Sequence, residues 1–427
     1  MVKKIYLHFM VIFITCVICF LACDQETDKP IDKSDEKNEG NSTVVPGQSL
    51  SDKLYWLQTN ANSNNKYTIE VSGYEQISSA ILSFNGKNNI IIIIKSTGAE
   101  RIIEIASNGT LFTIDNGVTL TLENNITLKG KTGNNSSLIR VNNGGTLIMN
   151  TGSRITGNTN STYHHADTDI GILAGGVFTN GTFIMNGGEI FNNTSSESGS
   201  GVYVYGYNST FTMNGGKIYD NRVFVYNANF TMNGGEISNS GVSVIYSGVF
   251  ILNNGKITGS NGNSGVSIGG TFIMNDGEIS GNYGGGVTLS NNAIFTMKGG
   301  KITGNDTHSG GGVNVGGGTF SMTGGEISGN TAFDYFPKGG GVYIQRGTFN
   351  KTGGIIYGYN ENDIIKSNKV ISSGIVENNR GHAIAVAEET FVDSPLFAHR
   401  ETTVGINENL SYNYNGGASI FSGIWEY

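Results

Sequence analysis

Three sets of residues in this 427-residue chain have the types and spacing of chemical sites. The first is His164-His165-Ala166-Asp167-Thr168-Asp169, two imidazoles and two carboxylates within six positions. That is a donor set for a divalent cation. Side chains of adjacent histidines diverge in extended backbone, so a solvated polar loop is the simpler expectation, with His164, His165, Asp167 and Asp169 as weak metal candidates. The second set is aromatic: Tyr203, Tyr205, Tyr207, Phe224, Tyr226 and Tyr246. Exposed rings of this kind stack on sugars or anchor a protein partner, and the bland alternative is ladder packing within one sheet. The third is a row of charges, Arg154, Glu189, Lys217, Glu236, Lys256, Glu278, Lys301 and Glu326, whose sign alternates at every step. Its acids are separated by lysines, and a two-step interval on a sheet is roughly 10 Å along one face. Glycosidase carboxylates converge across a cleft at roughly 5 to 9.5 Å. The row therefore reads as a charge ladder, and no catalytic constellation is identified.

The bulk numbers exclude other classes. Net charge is −8, and no Lys/Arg cluster is present to neutralise phosphates, so nucleic acid is not an expected partner. The three cysteines are Cys16, Cys19 and Cys23, all close to the N-terminus. Lys3 and Lys4 precede an apolar run from Ile5 to Ala22, which ends Phe20-Leu21-Ala22-Cys23 and is followed by Asp24. This is the grammar of an export signal, although about 18 apolar residues would also just span a bilayer. A small residue, then Cys, then acidic sequence resembles the lipobox of bacterial lipoproteins, with Phe20 where Leu is usual, as in the relaxed lipoboxes of spirochaetes. The expectation is a signal peptide over 1–22, lipidation of Cys23, and a flexible acidic tether over 23–48 that carries too little apolar surface to order itself. A body without cysteine has no disulfide, thiol nucleophile or Cys-ligated metal, and no cofactor is expected.

What must position the candidate residues is a repeat. Phe183-Ile-Met185-Asn-Gly-Gly-Glu189-Ile190 returns at Phe211, Phe230, Phe250, Phe272, Phe295 and Phe320, with degenerate copies at Leu147 and Phe349. The Met slots are spaced 36, 28, 19, 20, 22, 23, 25 and 29 residues apart, with Leu252 filling one slot and Lys351 the last. Each unit holds three short alternating runs: the aromatic-x-Met pair, a run centred on Ile, and a Val-x-Val run such as Val202/Val204 or Val223/Val225. Period-two alternation means one buried face, and Gly-rich turns separate the runs. Stacked units place Phe over Phe, Met over Met and Ile over Ile, which buries a column that no single unit buries alone. The alternating charges follow, because stacked equivalents then meet opposite sign. Asn after the Met, at 150, 186, 214, 233, 253 and 275, predicts an amide ladder.

The expected fold is therefore all-β: a right-handed parallel β-helix, a solenoid with three strands per coil, over 49–390. Its varied coil length separates it from the strict hexapeptide arrays of left-handed β-helices. A short N-terminal helix with Ser51 as N-cap covers the first coil, and 391–427 forms a C-terminal cap or tail.

The phrase at Gly270 to Asn282 resembles the repeat of β-helix lipoproteins of host-associated, treponemal-type spirochaetes. More loosely, Gly187 to Asn193 is similar to the short repeats of chlamydial polymorphic outer-membrane adhesins. The resemblance implies a lipid-anchored binding, adhesion or structural module at the outer membrane or cell surface. Its partners would be the membrane, through the anchor, and a host protein or glycan, with Tyr203, Tyr205, Phe224, Tyr226 and Tyr246 as the ligand-binding strip. No catalysis is expected. The alternative is a polysaccharide lyase or hydrolase on a pectate-lyase-like fold, but aspartates at 220, 276, 306 and 334 are scattered singly, without the clustered acids that such lyases use.

Overall fold

The computed structural model describes residues 42–161, 174–196, 199–334, 337–360, 362–376, 382–388, 398–402, 410–415 and 418–422. The chain divides into two units, 1–41 and 42–427, and the first lies outside the described residues. The second is a parallel β-helix.

Its coils stack in register. Along one column run Leu120, Leu147, Phe183, Phe211, Phe230, Phe250, Phe272, Phe295, Phe320 and Phe349, each paired in parallel with the next. From Phe183 to Phe320 successive ring centroids lie 4.6 to 4.9 Å apart with planes within 8°. The strand spacing of about 4.8 Å sets that separation. It exceeds the thickness of a ring, so the rings stack with an offset, the favoured arrangement. The Met column runs beside it and ends on Lys351, the partner of Met322.

The first two strands of each coil belong to one long sheet, bent between them at the Gly-Gly turn. The third strand builds a second sheet of 13 strands, from Ala80–Leu82 to Ala398–Thr402. Glycine at the bend is required rather than tolerated. Gly235 has φ +88°, and a Cβ there would sit 2.7 Å from Met213 Cε and 2.7 Å from the Gly216 oxygen.

Two differences from the sequence reading concern the N-terminal end. The helix spans Leu50–Asn60, and its N-cap is Ser49, not Ser51. Ser49 Oγ accepts from the Asp52 amide while the Asp52 carboxylate accepts from the Ser49 amide, a reciprocal pair that Ser51 cannot form from inside the first turn. Leu50 and Leu57 are buried beneath the helix. Thr43–Val44, inside the stretch read as tether, pairs in parallel with Tyr67–Thr68. At the other end pairing turns antiparallel: Leu410–Asn415 on Thr348–Ile356, and Ala398–Thr402 on Ile384–Glu388.

Candidate functional site

The aromatic strip lies on the outer face of the second sheet. Alternation along Val202–Tyr205 and Val223–Tyr226 sends the valines into the core and the rings outward. Parallel register then aligns Arg140, Phe178, Tyr203 and Phe224 in one row, and Tyr205 with Tyr226 in a second. Ring centroids are 5.9 Å apart for Phe178 and Tyr203, 5.1 Å for Tyr203 and Phe224, 5.3 Å for Tyr205 and Tyr226, and 4.8 Å for Tyr226 and Tyr246. The Arg140 guanidinium carbon stands 5.4 Å from the Phe178 centroid.

Exposure divides the strip. Tyr203 is only 4 % exposed, packed in a small outer cluster with Phe178 and Ala174. Sequence alternation correctly points it outward but misses this cover, which comes from residues on another coil, so Tyr203 is a support and not a contact residue. Tyr205, Phe224 and Tyr226 are half-buried, while Tyr207 and Tyr246 are 71 % and 64 % exposed. Burial, the nearby Tyr246 hydroxyl and a hydrogen bond to it raise the Tyr226 phenol above its ordinary pKa, and Tyr205 and Tyr207 add to the shift. Four phenols are thus grouped on adjoining coils.

Two arginines complete the face, and the sequence reading missed both. Arg222 Nη2 donates to Ser243 Oγ, on the coil after Phe224, and its Nε is buried with no hydrogen-bond partner. Burial lowers its pKa below the usual guanidinium value. Among the described residues it forms no ion pair. Arg140 Nε donates to Asn142 Oδ1. The signal was present in sequence, since Arg140 occupies the same outward slot as Phe178, but the slot is visible only once the coils are registered.

The charge row is stacked as expected. Each member from Glu189 to Lys301 has opposite-sign Cα partners on both sides. Ion pairs close only at alternate gaps, however: Arg154–Glu189 at 3.0 Å, Lys217–Glu236 at 3.5 Å and Lys256–Glu278 at 3.8 Å. A carboxylate that leans to one neighbour leaves the other. Glu278 and Glu326 also each accept from a serine two residues on. The open trench beside the row, about 550 Å³ and floored by the bend glycines, carries both signs.

Cys23, His164, His165, Asp167 and Asp169 lie outside the described residues. Among the described residues no group of His, Cys, Asp or Glu has the arrangement of a metal site, and no helix is long and apolar enough to cross a membrane. Among the described residues His308 Nδ1 lies 3.2 Å from Asp334 and beside the Phe333 ring, on an exposed turn. No protein family, curated protein or solved structure matches this chain.

Proposed function

We propose that this protein is a lipid-anchored β-helix of the cell envelope that binds a host protein or glycan without turning it over. The observation that carries this reading is the tyrosine patch on the outer face of the second sheet. Tyr207 and Tyr246 are large amphipathic side chains left in solvent on a rigid support, and they have no role in the solenoid core. Rings with a polar tip and few rotatable bonds are well suited to recognition. Anchoring through Cys23 would hold the helix at the membrane surface, with the acidic segment after it as spacer.

Binding of the full chain in detergent to a panel of glycans and matrix proteins tests the reading. A ligand is expected whose affinity falls at least tenfold in a Tyr226→Ala, Tyr246→Ala double variant with an unchanged circular-dichroism spectrum. Binding indifferent to both changes would remove the patch from the function, and product release from any bound glycan would replace binding by catalysis. Metabolic labelling with palmitate, lost in Cys23→Ser, tests the anchor.

A further inference from the structure

The bend after the Met column reads Asn-Gly-Gly at 186–188, 214–216 and 233–235, but Asn253-Asn254-Gly255 and Asn275-Asp276-Gly277 in the next two coils. An amide or a carboxylate thus replaces the first glycine, and both line the open trench. Asn186, Asn214, Asn233 and Asn254 are all exposed and all precede a glycine. Neither exposure nor the following residue separates them.

Hydrogen bonding does. Asn186 donates to Asn150 Oδ1 at 3.0 Å and accepts from Asn214 at 2.9 Å. Asn214 and Asn233 accept in turn from Asn233 and Asn253, both at 2.8 Å. Each of these carboxamides is held along the stack from both sides. The Gly187 and Gly215 amides also donate to the Met149 and Met185 oxygens of the preceding coil. Asn254 stands beside the ladder, not in it. Its Oδ1 accepts from the next amide along its own chain, that of Gly255, at 2.7 Å. Asp276 Oδ1 accepts likewise from Gly277 at 2.8 Å. Such a contact holds the glycine nitrogen roughly 3–3.5 Å from the side-chain carbon, the separation of a near-attack geometry. Gly255 has φ +112° and Gly277 φ +97°, and neither carries a Cβ to crowd a ring closing there.

We infer that Asn254 is a site of spontaneous covalent modification, deamidating through a succinimide with water as the only co-reactant. The Gly255 nitrogen bonds to Asn254 Cγ and gives up its proton to solvent. The Cγ–Nδ2 bond breaks, and Nδ2 leaves as ammonia. Water then opens the five-membered ring. Cleavage at Cγ gives aspartate, and cleavage at the main-chain carbon gives isoaspartate, which carries one more carbon in the backbone. Asp276 follows the same route with one water leaving and one returning, so it isomerises without change of mass. A ladder asparagine must first break two hydrogen bonds to turn toward its glycine. The trench sets Lys217, Lys256 and Lys301 against Glu236, Asp276 and Glu278. Reaction at Asn254 therefore tips a balanced trench to net negative.

Peptide mapping by mass spectrometry of the full chain in detergent, kept at about pH 8 and 37 °C, follows each site. Asn254 is expected to gain about one dalton at a rate about tenfold or more above that of Asn186, Asn214 or Asn233. Labelling with an isoaspartyl methyltransferase should mark the peptides that hold Asn254 and Asp276. Asn254→Gly, which restores the residue of the other coils, should remove the first mark. In denaturant the four asparagines should react at similar rates, because the ladder is gone. Asn214→Ala takes away the acceptor of Asn233, and should speed Asn233 in the folded chain while leaving Asn254 unchanged. Asn-Gly pairs outside the bend, such as Asn85-Gly86 and Asn143-Gly144, are resolved in the same map. Equal rates at the four sites of the folded chain would overturn the inference, and so would a ranking that survives denaturant.

Discussion

Lys351 closes the Met column, and its side chain is 0 % exposed. Burial lowers its pKa from the ordinary 10.5. The native state therefore holds that proton less firmly than the unfolded chain, and stability rises with pH between the lowered value and 10.5. Lys351→Met should raise the melting temperature at pH 8, with a smaller gain at pH 10. A melting scan of both proteins checks this, and an equal gain at the two values would contradict it. The asparagines make a second residue-scale test. Asn150, Asn186, Asn214, Asn233, Asn253 and Asn275 form the expected exposed ladder, with amide-to-amide distances of 2.7 to 3.0 Å. Asn282, Asn305, Asn330 and Asn368 form another that is fully buried, at 2.8 to 2.9 Å. Asn305 donates to the Ile279 and Thr303 oxygens and accepts from the Asn282 amide. Asn305→Ala strands these groups away from water and should cost about 1–3 kcal/mol by urea midpoint. Asn233→Ala, in the exposed ladder, should cost well under half of that.

At the scale of the element, the bend and the charge row make separate demands on the same few residues. Gly235→Ala forces a Cβ into left-handed backbone and against Met213. A loss of more than about 1 kcal/mol is expected in chemical denaturation. Glu236→Lys would set like charges in line at positions 217, 236 and 256, in place of the 3.5 Å pair with Lys217. These side chains are substantially solvated, so a loss of about 0.5 kcal/mol is expected at low salt. Salt screening should shrink it at 1 M. A loss independent of salt would mean that the alternation is not electrostatic in origin.

For the whole molecule the open question is the first coil. A solenoid has two ends, and each presents unpaired strand edges and uncovered core. Here the helix Leu50–Asn60 covers one end, with Leu57 buried and Lys53 Nζ donating 2.6 Å to the Glu70 oxygen. Leu57→Asp should lift that cover and produce soluble aggregates, read by light scattering after size exclusion. A monodisperse variant with wild-type melting would show that the helix is not what protects the edge.

The repeat spelled out the register. Because the coils from Phe183 to Phe320 repeat a Phe, a Met or Leu, an Ile and a pair of aliphatic residues, only one alignment buries them all, and the outward charges and exposed amides follow from it. That argument is local in kind and needs only the order of residues along the chain. Burial on the outer surface, by contrast, depends on atoms that sequence places far apart. Tyr203 reads as outward and is outward, yet Ala174 and Phe178 enclose it. Asn305 and Asn233 look alike as letters, but only one faces the interior. Arg140 and Arg222, 82 positions apart in sequence, come to flank a single strip. The periodicity of hydrophobic side chains was enough to determine the fold, because burial of the core is repeated in every coil. The site was decided only in three dimensions, because its cover and its cations are each supplied once, by different coils.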